Sequence, residues 1–167
     1  IISLGVEKVS ISSEAFQNPS IIHEAASRVG SQSVVIVMDV KKVGFRKRYE
    51  VFVFNGRKST RIHPKDFAKE AESLGAGEIV INSIDRDGIM EGYDLELVRQ
   101  LREVTSLPLT ILGGAGSLNH MAELIGEHGA IGAAAGSLFV FKGSYRAVLI
   151  NYPSPDDKDA FLDDAMK

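Results

Sequence analysis

Glu78-Ile79-Val80-Ile81-Asn82-Ser83-Ile84-Asp85-Arg86-Asp87-Gly88-Ile89-Met90 sets the plan of the chain. The apolar run Ile79–Ile81 leads into a polar cluster that closes on a glycine, and helical spacing resumes after Tyr93. This order reads as strand, functional loop, helix. Working outward, the same plan recurs. Val6–Ile11 alternates as a strand and ends in Ser12-Ser13. Val34–Val37 continues through Met38 to Asp39 as a run apolar enough for burial on both faces. Leu109–Leu112 ends in Gly113-Gly114-Ala115-Gly116, and Ala130–Ala135 ends in Gly136-Ser137.

Helices fall between these strands. Asn18-Pro19 reads as N-cap and first helical residue ahead of the stripe Ile21, Ile22, Ala25, Ala26, Val29. His63-Pro64, Asp94 and Ser117 open three more. Leu138–Lys142 reads as the start of a helix, Tyr145–Ile150 as a strand or its continuation, and the tail as a short acidic helix. Between Asp39 and His63 the pattern changes. Tyr49–Phe54 alternates, Asn55-Gly56 is a turn signal, and Lys41–Arg48 is basic, so a hairpin insertion is expected at about 43–60. The chain opens on Ile1-Ile2-Ser3-Leu4-Gly5, which reads as the end of a helix, so it begins in mid-element.

Five strands in register with intervening helices predict a parallel α/β sheet. An open doubly wound sheet and part of a (β/α)8 TIM barrel both satisfy that pattern. The strand ends favour the barrel, because Ser12, Ser13, Asp39, Asp87, Gly113 and Gly136 then converge on the carboxyl face, where barrel active sites lie. The expectation is one partial barrel domain over residues 1–167, with about strands 4 to 8 of eight.

The 167 residues suffice for one domain with a core, and 44% hydrophobic with 25% charged residues is ordinary for a soluble protein. A net charge of −3 with one short basic cluster argues against a nucleic-acid partner. No apolar run approaches the roughly 20 residues of a membrane helix. Without cysteine there is no disulfide, thiolate or cysteine nucleophile. The four histidines lack metal-ligand spacing, so no metal and no cofactor is expected. No leader pattern is visible, and a cytoplasmic location is expected.

Chemistry can reside at few places. Asp39 ends an apolar strand, where an unpaired carboxylate is costly. It is either a general acid or base, or one half of an ion pair with Lys41 or Lys42. If strand alternation persists past Ser83, Asp85 and Asp87 point one way and Arg86 the other. One carboxylate then locks the loop and the other reaches ligand; a purely structural turn is the competing reading. Gly88, Gly113, Gly114, Gly136 and Ser137 lie where backbone N–H groups can cradle a phosphate. Lys8 and Glu78, near strand starts, read from their positions alone as a surface ion pair.

Ser83-Ile84-Asp85-Arg86-Asp87-Gly88, with Gly92-Tyr93-Asp94, closely resembles the cyclase subunit of imidazole glycerol phosphate synthase. So do Glu7–Ile11, Asn18-Pro19-Ser20, Gly30-Ser31-Gln32, Gly75–Glu78 and Gly113–Gly116, in register from about Gly5 to Phe141. The resemblance implies a (β/α)8 barrel that takes ammonia from a glutaminase partner and closes an imidazole ring on a phosphorylated substrate, a lyase-type cyclase of histidine biosynthesis. It places Asp39 as the catalytic acid/base aspartate and Asp87 as an auxiliary catalytic aspartate. Gly88, Gly113, Gly114 and Ser137 fall at one phosphate site and Ser12-Ser13 near the other. Lys8 and Glu78 fall in a charged ring at the ammonia entrance, which replaces their reading as a plain ion pair. Three departures stand out. The family's first three strands are missing, with a second catalytic aspartate, so the chain alone is expected to be incomplete and inactive. Asn82 replaces the usual Thr. Phe139–Gly143 and Tyr145–Pro153 resemble instead a branch associated with acetamidino modification of surface sugars. An alternative of another class is a non-catalytic, phosphate-binding half-barrel that forms a homo-oligomer, since open strand edges invite association.

Overall fold

The computed structural model describes residues 5–143 and 145–165. Leu4, half of the expected opening helix end, lies outside them. The elements run β1 (Val9–Ile11), α1 (Ser13–Gln17), α2 (Ser20–Val29), β2 (Val34–Val43), β3 (Arg48–Val53), β4 (Lys58–Ser59), α3 (Pro64–Ser73) and β5 (Glu78–Ser83). They continue as α4 (Leu95–Arg102), β6 (Leu109–Leu112), α5 (Leu118–His128), β7 (Gly132–Ala133), α6 (Ser137–Val140), β8 (Phe141–Lys142), β9 (Ala147–Val148) and α7 (Pro155–Ala165).

Strands β1, β2, β5, β6 and β7 pair in parallel in that order, as consecutive staves of an incomplete (β/α)8 barrel. Strand β2 is the longest. Its first half pairs with β1, at Val9↔Val34 through Ile11↔Ile36. Its second half outruns β1 and pairs antiparallel with β3, from Asp39↔Phe52 to Val43↔Arg48. Lys41–Val43, read from sequence as loop, are therefore strand. The hairpin turns at 44–47, where Gly44 and Lys47 take positive φ, and β4 then adds to β3 through the turn at 54–57.

The two sheet faces differ. Ile36, Met38, Ile79, Ile81, Leu109 and Ile111 are almost wholly buried against Ile22 of α2, Phe67 and Ala71 of α3, Leu97 and Leu101 of α4, and Leu124 of α5. The alternate residues Val37, Asp39, Val80, Asn82, Thr110 and Leu112 form the opposite face and are half-exposed. Period-two geometry makes this division, because one strand cannot present adjacent residues to the same side.

Three helix caps form at the expected residues. The Nδ1 of His63 accepts from the Lys65 N–H at 3.2 Å, Asp94 Oδ1 from Leu97 at 3.3 Å, and Ser117 Oγ from His120 at 3.3 Å. At α2 the expected Asn18 cap shifts to Pro19, which makes no side-chain cap bond, and Asn18 Oδ1 takes the Ser20 hydroxyl at 2.8 Å instead of a backbone N–H. Other boundaries differ. The strand expected at Val6–Ile11 shortens to three residues, and Ser13–Gln17 forms an extra helical turn with buried Ala15. Ala130–Ala135 keeps two paired residues, since β7 has only β6 as a neighbour among the described residues. Leu138–Lys142 splits: α6 ends at Val140, and Phe141-Lys142 pairs antiparallel with Ala147-Val148.

Phe67 is 1% exposed and stacks on Phe16. Phe67→Ala should lower stability by about 3–5 kcal/mol in equilibrium urea unfolding, and Phe67→Leu by much less. Equal small losses would show that the ring does not hold α3 to the sheet.

Candidate functional site

The carboxyl ends of β2 and β5 come together because Asp39 and Asn82 are register partners. Asn82 Nδ2 donates to Asp39 Oδ1 at 3.0 Å. Among the described residues Asp39 has no ion pair, so neither Lys41 nor Lys42 takes its charge. Lys42 turns away: its Nζ lies 3.1 Å from Asp94 Oδ2 and over the Tyr49 ring. Tyr49 donates its hydroxyl to Asp94 Oδ1 at 2.8 Å. Burial, with Asp94 adding to it against Lys42, pushes the Tyr49 hydroxyl up to about 12. Burial would lower the Lys42 ammonium, but the Tyr49 and Asp94 contacts outweigh it and hold it above its usual range. This buried cluster braces the hairpin against the start of α4.

The loop after β5 does not continue the strand alternation. The N–H groups of Arg86 and Asp87 both donate to the Ser83 carbonyl at 3.0 Å, which curls the chain into a turn. Asp85 Oδ2 then accepts from the Lys42 backbone N–H at 2.7 Å. Arg86 reaches the carbonyls of Glu91 and Gly92 at 3.3 and 3.2 Å. These two side chains lock the loop, and Asp87 is left exposed.

Asp39, Asn82, Ile84 and Asp87 line one cavity of about 310 Å³ with Asn55 and Gly56 from the hairpin's second turn. Asp87 also borders a shallow depression formed by Gly88, Gly113, Gly114, Gly136 and Ser137. Gly113 and Gly114 have φ of +93° and +109°. A Cβ at Gly114 would overlap the Gly92 carbonyl, and one at Gly113 would crowd the Ser83 carbonyl. Glycine is thus required here twice over, by backbone conformation and by close approach.

Ser12 and Ser13 lie apart from that depression. Ser12 precedes α1, and Ser13 Oγ accepts from the Phe54 N–H at 2.9 Å, tying α1 to the hairpin turn. At the amino end of the sheet, Lys8 Nζ is 2.6 Å from Glu78 Oε2, and Thr110 donates to Glu78 Oε1 at 2.8 Å. Four residues of strand, about 13 Å, separate Glu78 from Asn82, with Val37 and Val80 between.

The sequence reading missed the partner of Asp39 and the role of the second turn. Asn82 stood out there only as a departure from a pattern, and Asn55-Gly56 only as a turn. The signal that finds Asn82 is its parity with Glu78 along β5, which puts it on the half-exposed face. Among the described residues no group of three acidic or histidine side chains is placed to hold a metal, and no helix is long and apolar enough to cross a membrane.

A family model described as histidine biosynthesis protein matches residues 1–146. This chain belongs to that family. It is 54% identical to the "Putative imidazole glycerol phosphate synthase subunit HisF" of Leptospira interrogans, over 97% of this chain and 64% of that one. It is 52% identical to the "Putative imidazole glycerol phosphate synthase subunit hisF3" of Vibrio vulnificus, over 98% and 63%. With the "Imidazole glycerol phosphate synthase subunit HisF" of Alkaliphilus metalliredigens it shares 47% over 83% of this chain and 55% of that one. The chain thus spans just under two thirds of the length of the curated relatives it matches.

Burial alone would raise the Glu78 carboxyl, but its bonds to Lys8 and Thr110 outweigh that and hold it below its ordinary value of 4.5. A depressed carboxylate adds stability above its unfolded pKa and loses it as pH falls through the folded one. The stability gap between the native chain and Glu78→Gln should be full at neutral pH and close progressively below pH 4.5. Urea midpoints across that range measure it, and a gap independent of pH would remove the charge from the explanation.

Proposed function

We propose that this chain is the carboxyl-terminal part of the barrel subunit of an imidazole glycerol phosphate synthase. In this reading the barrel uses ammonia from a glutaminase partner to close a ring on a phosphorylated substrate. The observation that carries it is the single cavity shared by Asp39 and Asp87, bordered by a glycine-lined depression. Two carboxyl groups on one cavity suit the proton removal and delivery that ring closure requires. Asp39 is the acid/base on the sheet, and Asn82 orients it by holding Oδ1, which leaves Oδ2 for the substrate. Asp87 is the second proton-handling group, held in place because Asp85 and Arg86 fix its loop.

The phosphate sits over Gly88, Gly113, Gly114, Gly136 and Ser137, where the absence of side chains lets backbone N–H groups approach it. Ser12 and Ser13 serve a second phosphate across the sheet. Lys8 and Glu78 mark the opposite rim, where ammonia enters from the partner. The half-exposed face between Glu78 and Asp39 is then the wall of its path. The substrate, the partner and a cytoplasmic location rest on the family and on what its named members are called, together with this geometry.

With polypeptide of the length of its relatives, ammonium and a bisphosphorylated ribulosyl substrate should give the cyclised product. Asp39→Asn and Asp87→Asn should each lower kcat by roughly 10²–10⁴, with smaller changes in KM. Substrate binding with no ring closure by the native protein would overturn this reading. Unchanged turnover in both variants would remove the two carboxylates from the mechanism.

A further inference from the structure

The hairpin carries a cluster of charge that the proposed reaction does not use. Residues 41–61 hold eight lysine and arginine residues and one carboxylate, Glu50, a net +7 in a chain whose total is −3. Part of this charge borders an open cleft. The tip of the hairpin stands beside the starts of α3 and α4 and leaves a cleft of about 430 Å³, lined by Lys42, Arg46, Lys47, Arg48, His63 and Gln100. That volume falls in the range of about 300–1,000 Å³ usual for small-molecule sites. It shares no lining residue with the cavity of Asp39 and Asp87.

The carboxylates nearby leave the cleft positive. Glu50 takes Arg48 at 2.6 Å and Asp94 takes Lys42. Glu96, which also reaches the cleft, has its oxygens engaged by Arg99 at 3.0 Å and Gln100 at 2.8 Å. Arg46 and Lys47 have no carboxylate partner among the described residues. His63 Nδ1 accepts from the Lys65 N–H, so its proton lies on Nε2. The cleft therefore offers guanidinium, ammonium, imidazole and amide donors, and its unpartnered charges are cationic.

We propose that this cleft binds a small multivalent phosphoryl anion, at a site separate from the candidate catalytic cavity. Several like charges around one concavity repel one another until an anion joins them. Guanidinium forks match phosphate oxygens in pairs, and phosphoryl groups supply the many acceptors that this donor set requires. A nucleic acid fits less well, because the rest of the chain is net acidic and would repel a long polyanion.

The test is an NMR titration of the intact chain with pyrophosphate at 0.15 M salt, following backbone amides at 44–48 and Gln100 together with those of Gly88 and Gly113. Saturable shifts in the first group are expected. Arg46→Glu with Lys47→Glu should weaken that titration at least about tenfold and leave the Gly88 and Gly113 responses within twofold. Both residues are exposed, and unchanged amide positions elsewhere would establish that the variant is folded. Shifts that never saturate at this salt, or that persist undiminished in the double variant, would overturn the proposal. Shifts confined to Gly88 and Gly113 would also overturn it, while supporting the phosphate site of the proposed function. Citrate binding the cleft as tightly as pyrophosphate would overturn the phosphoryl assignment.

Discussion

The register between β2 and β5 is the constraint on which the rest depends. Pairing Val35 with Glu78 through Asp39 with Asn82 puts five successive positions of each strand on alternating faces. One face is sealed by helices through Ile36, Met38, Ile79 and Ile81. The other keeps a carboxylate at each end, Glu78 with Lys8 and Asp39 with Asn82. A one-residue slip of β5 would turn Glu78 and Asn82 toward the helices and expose Ile79 and Ile81, so the core packing holds the register.

The candidate site lies where the regular pattern stops. Strand β5 ends at Ser83, whose carbonyl accepts two N–H groups and curls the following loop. Within five residues the loop then has three tasks. Asp85 binds it to the backbone of Lys42, Arg86 binds it to the carbonyls before α4, and Asp87 remains exposed at the cavity. Lys42 consequently belongs to two systems. Its backbone steadies the loop of the candidate site, and its side chain forms part of the cationic cleft. A rigid hairpin is needed for this, and the buried Tyr49–Asp94 bond supplies the brace.

Much of this was legible in the residues. The apolar runs, the three caps at His63, Asp94 and Ser117, and the glycines after β6 follow from local rules: side-chain period, capping chemistry and steric freedom. Boundaries were less legible where neighbours decide them. Strand β2 extends to Val43 because β3 folds back to pair with it, and β7 shortens because among the described residues only one side of it is paired. Alternation past Ser83 failed as a guide because two backbone hydrogen bonds to one carbonyl outweigh a side-chain pattern.

The sequence by itself determined the parallel α/β plan, the family, and the identities of Asp39, Asp87 and the glycine turns, because each rests on short-range chemistry or a contiguous motif. Only the tertiary structure decided which of these meet. Asp39 and Asn82 are 43 residues apart, and Asp39 and Asp87 share a cavity only because two strands are in register. Lys42 could have paired with Asp39; instead, folding the hairpin over α4 brought it to Asp94 and left Asp39 without a cation among the described residues. The sequence shows which charges exist. Their partners depend on which long loops have closed, and no local rule carries that information.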